Sequence, residues 1–201
     1  MPPSAEARLT PSEWIEVNIP APADERARLL LELVDPLVHE QLASRIKTWF
    51  YFWEPDLRLR IRWADPEQAD SARTELAGFL DQAKADDKLE DWYEGSHGVS
   101  GEVYRGEAEL YGTEVWELTA NDWMGGSELA LAIVRFEAEG VLKEPKVFHW
   151  ARRVHLFSNQ LWLDEIALCL RQAHGYLGMA DPKDPSVVEI RGAIEKYLEG
   201  A

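Results

Sequence analysis

The sequence predicts an α+β fold: a small antiparallel β-sheet with a hairpin, packed against several α-helices, with a helix-rich C-terminal half. Three observations predict it. Alternating apolar and polar segments occupy the first third of the chain, a turn signal joins two of them, and the spacing beyond residue 114 is helical throughout. The 201 residues, 46% of them hydrophobic and 29% charged, are read as one domain over 1–201. A chain of this length buries roughly 70% of the surface its unfolded form exposes.

Residues 1–12, rich in Pro, Ser and Ala, are expected to be flexible. Trp14 to Ile19 alternates as a short strand, and Pro20 and Pro22 stop it. Asp24 is a helix cap for a stripe made by Leu29, Leu30, Leu33, Leu37 and Leu42, with Pro36 expected to kink or split that helix. Ile46 to Trp53 is a dense aromatic run, Glu54-Pro55-Asp56 a turn, and Leu57 to Trp63 a strict alternation, which together make a hairpin. In its second strand Leu57, Leu59, Ile61 and Trp63 face one way and Arg58, Arg60 and Arg62 the other. Asp65-Pro66 opens a helix from Glu67 to Ala85 with Ala72, Leu76, Phe79 and Leu80 inward. Glu94 to Gly101 reads as a loop, Glu102 to Tyr104 as a brief strand, and Tyr111-Gly112 as a turn. Helical spacing then covers 114–124, 126–139, 146–158, 160–176 and 185–199.

Charge and cysteine content narrow the function classes. Lys and Arg number 21 against 37 Asp and Glu, a formal charge of -16. That balance opposes nucleic-acid binding and attachment to anionic membranes, both of which draw affinity from a basic footprint. The one cysteine, Cys169, forms no intrachain disulfide and reads as an inert thiol in an apolar stretch. Met1 to Trp14 lacks the apolar core of a signal peptide, and no run approaches the roughly 20 residues of a membrane span. The expectation is a soluble, cytoplasmic protein.

The arginine row is the main chemical signal. Alternate residues of a strand sit about 7 Å apart on one face, and each guanidinium grips a carboxylate with a planar fork. Such a row holds a di-acid or steadies developing negative charge. From the pattern alone the favoured alternative is a solvent-facing strand whose arginines pair with the abundant acids. His155 and Asn159 share a helix face, where an imidazole can act as acid or base. His149 faces elsewhere, so the two histidines make no metal pair. Gly125-Gly126 and the Gly95, Gly98 and Gly101 set lack the context of a phosphate loop, and no nucleophile elbow is present. No metal and no cofactor is expected.

Three stretches in order carry a resemblance: Trp49-Phe50-Tyr51-Phe52 with Glu54-Pro55-Asp56-Leu57-Arg58-Leu59-Arg60; Glu107-Ala108-Glu109-Leu110-Tyr111-Gly112; and His155-Leu156-Phe157-Ser158-Asn159-Gln160-Leu161. Over Trp14 to about Tyr176 the chain resembles the C-terminal, glutamate-eliminating domain of lantibiotic dehydratases, also called the thiopeptide-type bacteriocin biosynthesis domain. The resemblance implies a stand-alone enzyme that removes glutamate from glutamylated Ser or Thr of a precursor peptide, leaving a dehydroamino acid. It implies catalytic roles for Arg58, Arg60 and His155, and substrate-binding roles for Arg62, Tyr111 and Asn159. The implied partners are the modified precursor peptide and a separate glutamylating dehydratase subunit. Leu110 and Gln160 stand where the family has arginine. A related branch, the pyridine synthases of thiopeptides, joins two dehydroalanines by a formal aza-[4+2] cycloaddition and needs no glutamate clamp. A non-catalytic precursor-peptide-binding partner is the third reading.

Overall fold

The protein is described by a computed structural model over residues 13–161, 165–177 and 183–199. The segment 1–12, expected to be flexible, lies outside the described residues. The chain divides into two compact units, Met1–Leu142 and Lys143–Ala201.

The first unit holds a five-stranded antiparallel sheet. In chain order β1 is Trp14–Ile19, β2 Ile46–Trp53, β3 Leu57–Trp63, β4 Tyr93–Ser96 and β5 Val99–Ser100, and in space they run β2-β3-β1-β4-β5. The hairpin lies where the sequence puts it, with a register irregularity between Ile46 and Thr48. The stretch 94–101, expected as a loop, carries β4 and β5. Glu102 to Tyr104, expected as a strand, joins no strand among the described residues and leads away from β5 as irregular chain.

Because side chains alternate across a strand, the sheet has two unlike faces. Ile15, Val17, Ile19, Leu57, Leu59, Ile61 and Trp63 form the apolar face, buried to 2% exposure or less. It packs against Leu29, Leu33, Leu37 and Leu42 and against Ala72, Leu76 and Leu80. The first group comes from a helical stretch that begins with the 3-10 turn Ala23–Glu25 and α1 (Arg26–Leu29). It continues through π-helical turns at Leu30–Val34 and Leu37–Gln41. Pro36 therefore does not split it. With no N–H to give, proline is passed by widening the helix on both sides, as in the Leu42 N–H to Leu37 carbonyl bond of 2.9 Å. Asp24 lies inside the first turn and is not its cap, the preceding position being Pro22. The second group belongs to α2 (Ala69–Ala85), whose entry Asp65 does cap by accepting from the Glu67 amide.

The other face is roofed by α4 (Thr113–Ala138), which follows the short α3 (Ala108–Tyr111) across Gly112 at φ +80°. One helix stands where the sequence suggested two. A mid-helix glycine costs about 1 kcal/mol, and burial of Trp116 and Ala120 before the Gly125-Gly126 pair, and of Ser127 and Leu131 after it, offsets that cost. Along the edge strand, Ser127 accepts from the Tyr51 amide at 3.2 Å.

The second unit contains α5 (Lys146–Leu161), α6 (Glu165–Leu177) and α7 (Pro185–Glu199), close to the three helical stretches expected. Cys169 is half-buried on α6. Among the described residues no helix is long and apolar enough to cross a membrane.

An ion cluster ties the Pro36 helical stretch to α4. His39 Nδ1 lies 2.7 Å from Asp35 and its Nε2 3.0 Å from Glu128, while Arg135 also pairs with Asp35. Burial opposes the imidazolium, but the hydrogen bonds and charges of Glu128 and Asp35 outweigh it and raise the His39 pKa. A raised folded pKa gives stability that is full below the ordinary histidine value and is lost as pH rises through the folded one. His39→Ala is therefore expected to destabilise by about a few tenths of a kcal/mol at pH 5.5, half-exposed pairs being weak, and by less at pH 8.5. Urea denaturation at the two pH values checks this.

Candidate functional site

Sheet register builds the site. On the roofed face, adjacent strands place three rows side by side: Trp14, Arg62 and Thr48; Glu16, Arg60 and Phe50; Asn18, Arg58 and Phe52. The arginines thus share a face, as their spacing predicts. That face is not open to solvent, because Trp14, Phe50, Tyr104, Trp116 and Ala120 form a second buried cluster over it.

Arg60 sits at the centre at 3% exposure. Its Nε donates to Glu16 at 2.7 Å and its Nη1 to Glu107 at 2.5 Å. The guanidinium carbon lies 4.4 Å from the Tyr104 ring centre and 5.2 Å from that of Phe52, within cation–π range. Glu16 is fully buried, and its second oxygen accepts from the Gly98 amide at 2.9 Å. Burial would raise the Glu16 carboxyl, but the Gly98 amide, the Arg60 charge and hydrogen bond, and the His97 amide hold it below the usual carboxylate range. Beside them burial, together with the Glu107 and Glu16 charges and against that of Arg60, drives the Tyr104 phenol well above its ordinary value.

The neighbouring arginines differ. Arg62 donates to Glu117 at 2.6 Å and pairs with Glu13 at 3.1 Å, linking β3 to α4. Arg58 has a single, long pairing among the described residues, 3.9 Å to the exposed Glu54, and its side chain is 16% exposed. Its buried Nε finds no hydrogen-bond partner among the described residues, and neither does either amide atom of Asn18, which is fully buried on the adjacent strand.

The β4–β5 turn closes over this corner. His97 adopts φ +51° and Gly98 φ +78°. A non-glycine residue in that left-handed region costs about 1–2 kcal/mol, and the turn is held by Glu16 and by the Tyr93 hydroxyl, which donates to the Gly98 carbonyl at 3.2 Å. A side chain at Gly98 would lie 3.0 Å from Arg58, and one at Gly95 would lie 2.5 Å from the Val99 carbonyl and 3.2 Å from Asn18. Gly95 needs glycine for close approach to backbone, and Gly98 for its left-handed conformation. The exposed His97 ring meets Arg60 Nη2 at 3.1 Å through Nδ1.

Tyr111, at the end of α3, stacks on Trp116 with centroids 6.0 Å apart and so belongs to the aromatic roof. Leu110 beside it is 74% exposed. His155 is an exposed residue of α5, in the second unit. Asn159 falls on the same helix one turn later, with its side chain outside the described residues. Among the described residues no cluster of His, Cys, Asp or Glu is arranged to hold a metal.

Residues 14–184 match the family described as lantibiotic biosynthesis dehydratase C-term. The chain belongs to that family. Among solved structures it is similar to the tRNA-dependent lantibiotic dehydratase MibB from Microbispora sp. 107891, at 20% identity with a TM-score of 0.52 over 69% of this chain. That likeness concerns the fold, and the chain spans only 13% of the length of MibB. No match was found among curated protein sequences. The family places the chain in lantibiotic biosynthesis.

Glu16, Asn18, His97, Tyr104 and Glu107 complete the corner and were not singled out as site residues by sequence reasoning. The alternation of Glu16 and Asn18 with Ile15, Val17 and Ile19 was a usable signal, since it places both on the arginine side once β1 pairs with β3.

The inequality of the arginines has a stability consequence. Removing one partner of a buried ion pair strands the other and costs about 3–5 kcal/mol. Arg60→Ala and Glu16→Ala are each expected to lose that much in urea denaturation. Arg58→Ala is expected to lose no more than about 1 kcal/mol, because its one ion pair is long and reaches an exposed partner.

Proposed function

We propose that this chain eliminates glutamate from glutamylated Ser or Thr of a ribosomally made precursor peptide, with Arg58 as the residue that holds the departing group. The supporting observation is that Arg58 faces the site without a close internal carboxylate, whereas Arg60 and Arg62 are each bound to two. A cation already neutralised by its neighbours gains little from a further anion, while an underused guanidinium fork offers a carboxylate two donors.

In this reading Arg60 positions Glu16 and the hairpin turn, and Arg62 and Tyr111 form the substrate wall below α4. His155 takes or returns a proton, and Asn159 is a substrate-binding residue. Loss of the α-proton and breakage of the Cβ–O bond leave the dehydroamino acid and free glutamate. A separate glutamyl-transferring subunit would supply the ester.

Leu110 favours a second reading. An exposed leucine where the family has arginine removes one carboxylate clamp, which suits formation of a pyridine ring from two dehydroalanines.

Two peptides separate these readings by intact mass. On a peptide bearing a glutamylated serine, the expected result is loss of glutamic acid, reduced about 10²- to 10⁴-fold by His155→Ala. Arg58→Ala is expected to slow it by about 30-fold or more, the loss of a clamp on a buried carboxylate being worth about 2–5 kcal/mol. Cyclisation of a peptide bearing two dehydroalanines, with the first peptide untouched, would replace elimination by the pyridine-forming reading. Folded protein that leaves both unchanged would point to a peptide-binding partner.

A further inference from the structure

We propose that His97, on the β4–β5 turn, is a further catalytic residue of this site, donating a hydrogen bond from Nε2 to the carboxylate oxygen that departs. The inference rests on the elimination reading and adds a residue to it.

The geometry fixes what the imidazole offers. Arg60 carries only N–H groups, so at 3.1 Å His97 Nδ1 must be the acceptor. The ring proton is then on Nε2, at the opposite side from Arg60 and on an exposed side chain. Arg60 thus acts as the orienting partner that sets a histidine's tautomer.

The conformation argues the same way. At φ +51° His97 occupies backbone space that non-glycine residues seldom use, and such positions cluster where a side chain must be aimed. Its aim is overdetermined: Gly98 bonds to Glu16, Tyr93 bonds to Gly98, and the ring packs edge-on against Tyr104 at 5.9 Å. The turn also covers the corner where buried Arg58 Nε and both Asn18 amide atoms have no partner among the described residues. Donors and acceptors left unused together in one buried place call for a polar partner.

The step balances without a further reagent. A base removes the α-proton, the C–H pair becomes the Cα=Cβ bond, and the Cβ–O bond breaks with its pair going to oxygen. Negative charge therefore grows on the leaving carboxylate, and a fixed donor there favours the transition state over the bound ester.

Two measurements on the full chain test this. The first is turnover of the glutamylated-serine peptide by His97→Ala and His97→Gln. A glutamine amide reproduces the acceptor-and-donor pair of the neutral imidazole. The alanine variant is expected to lose about 10²-fold in kcat with little change in KM, and the glutamine variant to recover part of it. The second is the imidazole nitrogen resonances of His97, with and without a peptide carrying the glutamyl group on an amide, which cannot eliminate. The expected result is an Nε2–H tautomer in the free protein and a shift of that nitrogen on binding. An active wild type with an equally active alanine variant overturns the role of His97 and leaves elimination standing. An inactive wild type whose Nε2 shifts with the amide peptide overturns elimination and the catalytic role with it, leaving His97 as a hydrogen-bond donor to the glutamyl group only. An inactive wild type with an unmoved resonance overturns both.

Discussion

The arginine side of the sheet depends on one buried ion pair. Glu16 is fully enclosed and Arg60 nearly so, and neither charge would survive there alone. Desolvating two ions costs several kcal/mol each, which their attraction offsets only when every remaining donor and acceptor is also used. Here they are. Glu16 gives one oxygen to Arg60 and the other to the hairpin turn, and Arg60 directs its other nitrogens to Glu107 and His97. One pair thereby fixes the register of β1 against β3, the position of the β4–β5 turn and the start of α3. Such a pair contributes little net stability compared with apolar packing; what it supplies is a single arrangement of the side chains around it.

The aromatic roof depends on that arrangement. Trp14, Phe50, Tyr104, Trp116 and Trp123 meet at tilted or edge-on angles, and the ring faces of Phe50, Phe52 and Tyr104 accept the Arg60 guanidinium electrostatically. The roof keeps water from the ion pair, which strengthens it. It also explains why Arg60 is buried on the cationic face of β3, with Arg58 and Arg62 half-buried beside it. An amphipathic strand pattern tells which residues share a face, and it does not tell whether that face is covered by water or by tryptophan.

This is where the sequence stops being legible. Local rules reached β1, the hairpin, α2 and the helices of the second unit because each rests on short-range periodicity and punctuation. They missed β4 and β5, since strands of four and two residues carry no measurable alternation, and glycines needed for close approach look like loop glycines. They divided α4 at Gly125-Gly126 because burial of Trp116 and Leu131 is a tertiary fact. Within the site, the shared face of Arg58, Arg60 and Arg62 was readable from a period of two. Their inequality was not, because it depends on Glu16, Glu107, Glu117 and Glu13 arriving from elsewhere in the chain.

That inequality bears on how an acidic protein handles an anion. With a formal charge of -16, the long-range field of the chain repels any anion, so a site that took one would have to act locally. Salt screens such fields beyond about 8 Å under physiological conditions, so what decides binding is the charge balance of the immediate site. An arginine paired to two carboxylates presents no net attraction; Arg60 and Arg62 are in that state. Arg58 escapes it because its cross-strand neighbour is Asn18, a neutral side chain, in the position where the next row has Glu16. Between Arg60 and Arg58 the difference lies in the residue opposite, one strand away, whereas Arg62, opposite Trp14, takes its carboxylates from Glu13 and from Glu117 of α4. An aspartate at position 18 would bring Arg58 into the same closed pairing as Arg60 and leave the face with no cation open to a ligand.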